Sequence, residues 1–180
     1  LILRFPGQKE ESRMNLQDKP ILTAEDELES ERANQRAIFE AVQAGMLVID
    51  ENGAVTRINP VVTQMVGKDV ASMLGRQPGD ALCCIHAAGV AAGCGHAEAC
   101  PTCAIRNTFS TVLRTGEAIQ GIETATRLII DGEERTFYFS LNASFIALNG
   151  GNHVLFAISD ITDRKRYEIE LIRSRGEAEQ

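Results

Sequence analysis

The sequence predicts an α+β domain: an antiparallel sheet with helices over one face and a further helix at each end. Three observations carry this. Residues 135–148, RTFYFSLNASFIAL, alternate apolar and polar, the period of a strand with one buried face. Strand-like runs are joined by tight-turn residues, ENG after MLVID, DGEE after residue 130 and NGGN after residue 148, as antiparallel hairpins require. Between these runs and at both ends, capping residues and apolar spacing change to those of helices.

The elements follow in order. Residues 1–22 are polar and broken by Pro6, Gly7 and Pro20, a loosely ordered lead-in. A helix spans 23–44. Thr23 is its N-cap, Glu25, Asp26 and Glu27 suit the positive helix end, and Gly45 ends it. Leu28, Gln35 and Val42 are seven apart, with Ile38 or Phe39 between them. Two readings of this helix stand side by side, a short coiled-coil seam or an amphipathic helix on its own domain. MLVID and AVTRI are strands either side of ENG. Asn59-Pro60 opens a short helix, with Asn as cap and Pro first, that stops at Gly67. DVASMLG is another short helix ending at Gly75. After the cysteine-rich stretch, CPTCAIRNTFSTVLRTG forms a helix with Ile105, Phe109, Val112 and Leu113 on one side and Gly116 as terminator. Residues 119–130 are a strand. In the next, Phe137, Phe139, Leu141, Ala143 and Phe145 face one side, and Tyr138, Ser140, Asn142 and Ser144 the other. HVLFAISD is the last strand, and ITDRKRYEIELIRSRGEAEQ leaves as a charged helix.

Length and composition bound the function. The chain has 180 residues, 44% of them hydrophobic, enough for one domain with flanking segments. Its net charge of −7 and its lack of Trp argue against nucleic acid or an anionic membrane as partner. No apolar run approaches the roughly 18–20 residues that span a bilayer. The start, LILRFPGQKEESRMN, is no signal peptide and carries no initiator Met, so the expectation is a piece of a longer cytoplasmic protein. No acyl-transfer, phosphate-loop, kinase or cyclase motif is present, and no enzymatic activity is expected of this chain.

One stretch stands apart. Residues 83–103, CCIHAAGVAAGCGHAEACPTC, hold all five cysteines and two of the three histidines. In a reducing compartment such a cluster points to metal or redox chemistry before a structural disulfide. Scattered buried cysteines are ordinarily small hydrophobes, but five within one short stretch are not scattered. His153, after a turn, reads as an ordinary surface or edge residue, and the acidic first helix and the RKR run as solvated faces.

RINPVVTQMVGKDVASMLGRQPGDAL resembles the front half of a PAS sensor domain, and FAISDITDRKRYE resembles its far end. The likeness spans roughly Phe39 to Arg166. It implies a five-stranded antiparallel sheet with short helices on one face: a PAS domain over 45–163, a Cys-rich insert at 81–103 and the start of a signalling helix at 164–180. It also implies a regulatory sensor, part of a bacterial signalling protein such as a histidine kinase. The flanking helices would pair in a homodimer, and an output domain would lie outside this chain. Asp160 and Thr162 can bond backbone N–H groups where strand becomes helix, fixing the angle of the helix that relays the signal.

The cysteine stretch is similar to that of a subset of bacterial sensor PAS domains with a Cys before a small helix, a Gly-Cys-Gly and a later Cys-x-x-Cys. Some sensor domains of this broad kind hold iron–sulfur clusters and report oxygen or redox state. The spacing here differs from the paired Cys-x-x-Cys motifs of the better-known examples. Cys100 and Cys103 stand at a helix start, with Pro101 first in the helix, where free N–H groups favour thiolate. Cys94 lies between glycines that permit close backbone approach. Cys84, before Ile-His-Ala, matches the subset's pattern as fourth ligand, and its neighbour Cys83 would point the other way if the chain there is extended. Cys83, His86 and His96 are reserve ligands. Four thiolates suit an iron–sulfur cluster or a structural zinc. A thiol–disulfide switch of Cys100 with Cys103, and a small organic ligand under the sheet, are the other readings. The flavin-binding Cys motif of light-sensing relatives is absent, and nothing marks His86 or His96 as a haem ligand.

Overall fold

The computed structural model describes residues 23–178, so the lead-in expected over 1–22 lies outside the described residues. The chain divides into two units, Leu1–Arg36 and Ala37–Gln180. Helix α1 (Ala24–Ala41) begins with a reciprocal cap. The Thr23 hydroxyl accepts from the Asp26 N–H (3.2 Å), and the Asp26 carboxylate accepts from both the Thr23 N–H (2.9 Å) and its hydroxyl (2.7 Å). No residue of α1 is buried, and Leu28 and Ile38 are both exposed.

The second unit is built on one sheet. Its strands are β1 (Gly45–Asp50), β2 (Val55–Ile58), β3 (Ile119–Ile130), β4 (Glu133–Leu148) and β5 (Gly151–Asp160). Their spatial order is β2-β1-β5-β4-β3, and every pair is antiparallel. The alternation expected in β4 holds: Phe139, Leu141 and Ala143 are buried, while Asn142 is exposed. They meet Leu47, Ile49, Val154, Phe156 and Ile158 from the central strands in one core. Helices α2 (Pro60–Val66), α3 (Val70–Met73), α4 (Pro78–Ala81), α5 (Ile85–Ala88) and α6 (Ala104–Thr115) complete the domain; α2 packs on β1, and α6 lies against β3, β4 and β5. Val62, Met73 and Val112 close the core from that side.

Three local expectations are corrected. Gly45 does not cap α1, which ends at Ala41; it opens β1, paired with Ile158. A Cβ there would stand 3.1 Å from Val62 Cγ2, so the glycine serves close approach. Asn59 holds the N-cap position of α2 but makes no side-chain cap. Fully buried, its amide donates to the carbonyls of Ala44 (2.9 Å) and Val42 (3.3 Å), with Phe39 O at 3.4 Å, and its Oδ1 accepts from the Met46 N–H (2.9 Å). It therefore satisfies the carbonyls left open where α1 meets β1, a group of acceptors that would be costly to bury unpaired. Finally, α6 starts at Ala104 with Cys103 as N-cap, and Cys100–Thr102 form a separate 3₁₀ turn. The N–H of Cys103 bonds back to Cys100 O, so the chain tightens before the α-helix begins.

Helix α7 (Thr162–Ala178) leaves β5 through a tight corner. Asp160 Oδ1 accepts from the Thr162 N–H (2.8 Å), and the buried Thr162 hydroxyl accepts from the Tyr138 N–H on β4 (3.0 Å). The two residues expected to set the exit angle thus tie the helix start to the adjacent strand. His153 lies in the central strand β5, its Nδ1 3.1 Å from Gly151 O.

Candidate functional site

The cysteines fall in the short turns and loops between α4 and α6, with Cys100 opening the 3₁₀ turn. Cys83 adopts φ +61°, a left-handed conformation that reverses the chain after α4. The pair is therefore not extended, and the reason expected for the two side chains diverging does not apply. Cys84 forms an isolated bridge with Leu128 of β3, and Cys83 O accepts from the Ile129 N–H (2.8 Å). Cys84 lines a cavity between sheet and loop that Cys83 does not reach, and both line a second groove beside Lys68 and Ile129.

Cys94 is placed by its surroundings. Its N–H donates to both oxygens of the Asp80 carboxylate (3.1 and 3.2 Å). Its side chain lies on Gly79, where a Cβ would stand 2.7 Å from Cys94 Sγ and 3.4 Å from Cys84 Cβ. The missing side chain of Gly79 therefore leaves the room that Cys94 occupies, next to Cys84. On the other side, Gly95 (φ +96°) is covered by the Arg106 guanidinium, which would collide with any Cβ there. Burial pushes the Cys94 thiol above its ordinary pKa; the Gly79 backbone and Arg106 hydrogen bonds oppose that shift. Cys100 is buried in the 3₁₀ turn, and Cys103 precedes the unpaired N–H groups of the first turn of α6.

Cys84, Cys94, Cys100 and Cys103, with His86 and His96, line one cavity of about 390 Å³. Its apolar floor includes Ile49, Leu82, Leu128, Ile105 and Phe109. The four thiols expected as ligands therefore share one space. Among the described residues, however, no three Cys, His, Asp or Glu side chains converge closely enough to hold a single metal ion. That arrangement bears differently on the two candidate groups. A tetrahedral zinc needs four sulfurs about 2.3 Å from one centre. A cluster puts iron and sulfide between its thiolates and spaces them further apart. The donor set, four thiols lining a half-enclosed apolar cavity, is of the chemical kind that holds an iron–sulfur cluster.

Sequence reasoning missed three residues of this site. Arg106 had a readable mark, a cation in the first turn of a helix that has no acidic residue there. Asp80 and Gly79 had none, since their roles depend on a residue 14 or 15 positions away.

The family described as PAS fold matches residues 39–166. The chain belongs to the PAS-fold family. Its sheet, short helices and two terminal helices are those of a PAS fold. Among solved structures it is similar to the PAS domain of an HTR-like protein from Haloarcula marismortui, at TM-score 0.54 and 17% identity over 76% of this chain and 97% of that one. It is likewise similar to a PAS domain from Colwellia psychrerythraea, at TM-score 0.51 and 14% identity over 76% and 98%. An RNA-binding light-oxygen-voltage receptor matches at TM-score 0.55 and 16% identity over 88% of this chain and 41% of that one. At these identities the likeness is one of fold. No significant match is found among curated proteins. PAS domains are typically sensory or interaction modules of signalling proteins rather than enzymes. Among the described residues no helix is long and apolar enough to cross a membrane.

Proposed function

We propose that this PAS domain is a redox or oxygen sensor that holds an iron–sulfur cluster through Cys84, Cys94, Cys100 and Cys103. The observation that carries the reading is the shared cavity: the thiols of Cys84, Cys94, Cys100 and Cys103 line it, and Cys83 does not. An iron–sulfur group would supply electron exchange and sensitivity to oxygen there. The chain's own residues hold the thiols in place. Gly79 leaves room for Cys94 beside Cys84, Asp80 anchors the Cys94 backbone, and the start of α6 positions Cys103.

The relay follows from what the cavity touches. Cys84 is bridged to β3, and α6 packs across β3, β4 and β5. A change in the loop therefore bears on the sheet that carries Asp160 and Thr162 into α7. In this reading the domain is cytoplasmic and homodimeric through its flanking helices, and it acts on an output domain beyond this chain. Tyr167, Ile169, Leu171 and Ile172, exposed along α7, suit helix pairing.

The test is metal, sulfide and absorption analysis of protein purified without oxygen. Iron and acid-labile sulfide with broad visible absorption are expected. Colourless protein with one tightly held zinc would replace the cluster with a structural staple. Metal-free protein that carries a small organic molecule would favour the second reading, which the cavity's apolar floor and size support.

A further inference from the structure

Arg106 is misplaced by the rules of helix design. Cys103 is the N-cap of α6, so Arg106 is the third residue of the helix, where carboxylates are favoured and a cation opposes the dipole. The first turn has no acidic residue to offset it. Among the described residues Arg106 forms no ion pair with Asp or Glu. Asp80, on the other side of Cys94, is engaged with the Cys94 N–H.

Yet the structure accommodates this side chain with care. Arg106 is half-buried and lays its guanidinium over Gly95, the residue next to Cys94, in the space a Cβ there would occupy. It is the one Lys or Arg among the described residues that line the cavity. The one carboxylate of that lining, Glu51, is exposed. A local rule broken with such supporting fit marks a functional position.

We infer that Arg106 is the built-in counter-charge of the site, selecting an anionic thiolate-bound metal group and easing its reduction. The inference rests on the metal reading above. Four thiolates leave a bound zinc or cluster anionic, and an added electron makes a cluster more so. A guanidinium at the edge of a low-dielectric cavity stabilises the more negative form. No bond changes: one electron passes from an external reductant to the cluster, and Arg106 keeps its protons.

The experiment compares wild type, Arg106→Gln and Arg106→Lys as full chains. Each is loaded without oxygen and titrated with dithionite while its visible and paramagnetic resonance spectra are followed. Arg106→Gln is expected to lower the reduction potential by an amount worth about tenfold in the oxidised-to-reduced ratio, ~59 mV for one electron. Arg106→Lys should recover most of it. An unchanged potential in Arg106→Gln overturns the inference and leaves the cluster assignment standing. Should wild type take zinc and no iron, the cluster assignment fails alone. Arg106 is then judged by zinc affinity, expected to fall several-fold in Arg106→Gln, with equal affinity overturning the inference. Metal-free Arg106→Gln should melt at or above the wild-type temperature, because the cation opposes the helix dipole. A clear drop, or failure to fold, would make Arg106 structural support and also overturn the inference.

Discussion

The paired strands β4 and β5 and the cysteine stretch 83–103 are stabilised in opposite ways. Each strand is hydrogen-bonded on both sides, and Phe139, Leu141, Val154 and Phe156 are fully buried between sheet and helices. The cysteine stretch has only Ala87 and Cys100 buried, and most of its backbone bonds are local, such as Gly93 N–H to Val90 O and Cys100 N–H to Ala97 O. Its long-range ties are few: the Cys84–Leu128 bridge, Cys83 O with the Ile129 N–H, and Cys94 on Asp80. Apolar burial holds the sheet, whereas the loop has little of it and depends on polar anchors. A region of that kind can change shape while the sheet beneath it stays folded, which is what a sensor needs.

The largest effect that would break this contrast lies in the sheet. Phe139→Ala removes a fully buried ring stacked on Phe137. It should cost about 3–5 kcal/mol in denaturant unfolding, with loss of the whole domain. A cost near zero would mean that the core is not where the stability lies.

The ligand substitutions should leave the core alone. Replacing Cys84, Cys94, Cys100 or Cys103 with Ser is expected to reduce metal retention strongly, and Cys83→Ser to do little, as read by metal content after desalting. In metal-free protein each of these buried or half-buried changes should cost less than Phe139→Ala. Loss of metal in Cys83→Ser with retention in Cys84→Ser would reverse the choice between the two neighbours.

Metal removal sharpens the contrast directly. Hydrogen exchange should quicken in the 81–108 segment, most of all between Gly89 and Cys103, while β4 and β5 keep their protection. The start of the segment is held from outside, since Ala81 and Leu82 are buried in the core, so it should respond least. Equal protection with and without metal would refute a switch, and global unfolding would make the site a staple.

The smallest effect belongs to an exposed network. Glu123 on β3 pairs with Arg164 and with Lys165 on α7. Lys165, then Arg164, hold the Glu123 carboxyl below its ordinary pKa, and Glu123, then Glu168, raise that of Lys165. The lowered carboxyl contributes stability above its unfolded pKa of 4.5 and loses it as pH falls through the lower folded value. The raised ammonium contributes below 10.5 and loses it as pH climbs through the higher one. Glu123→Gln should therefore lower the melting temperature slightly at neutral pH, and salt should abolish the difference. A large, salt-resistant drop would show that the strand-to-helix link is not the exposed contact described here.

Much of the fold was written locally. The alternation from Phe137 to Phe145 forces one face of β4 inward whatever its neighbours are, because successive side chains point to opposite faces. Thr23 and Asp26 lie three apart and cap α1 between themselves, and Gly67 and Gly116 end α2 and α6 in the left-handed conformation. Sequence proximity marked the five cysteines as one set, and the choice of Cys84 over Cys83 came from the resemblance to sensor PAS domains. Other roles depended on partners that no short stretch contains. Asn59 turned from its helix cap to the open carbonyls near α1, since burying those acceptors unpaired costs more than leaving an N-cap unmade. Cys83 took a left-handed conformation and Cys84 paired with Leu128 of β3, and α6 began at Ala104 because the chain first tightens into a 3₁₀ turn. Arg106 acquired its place only when the Gly95 backbone came beneath it. The sequence by itself determined each element whose stabilising contacts lie within a turn or a strand, while tertiary structure decided the positions whose polar groups and sulfurs had to find partners far along the chain.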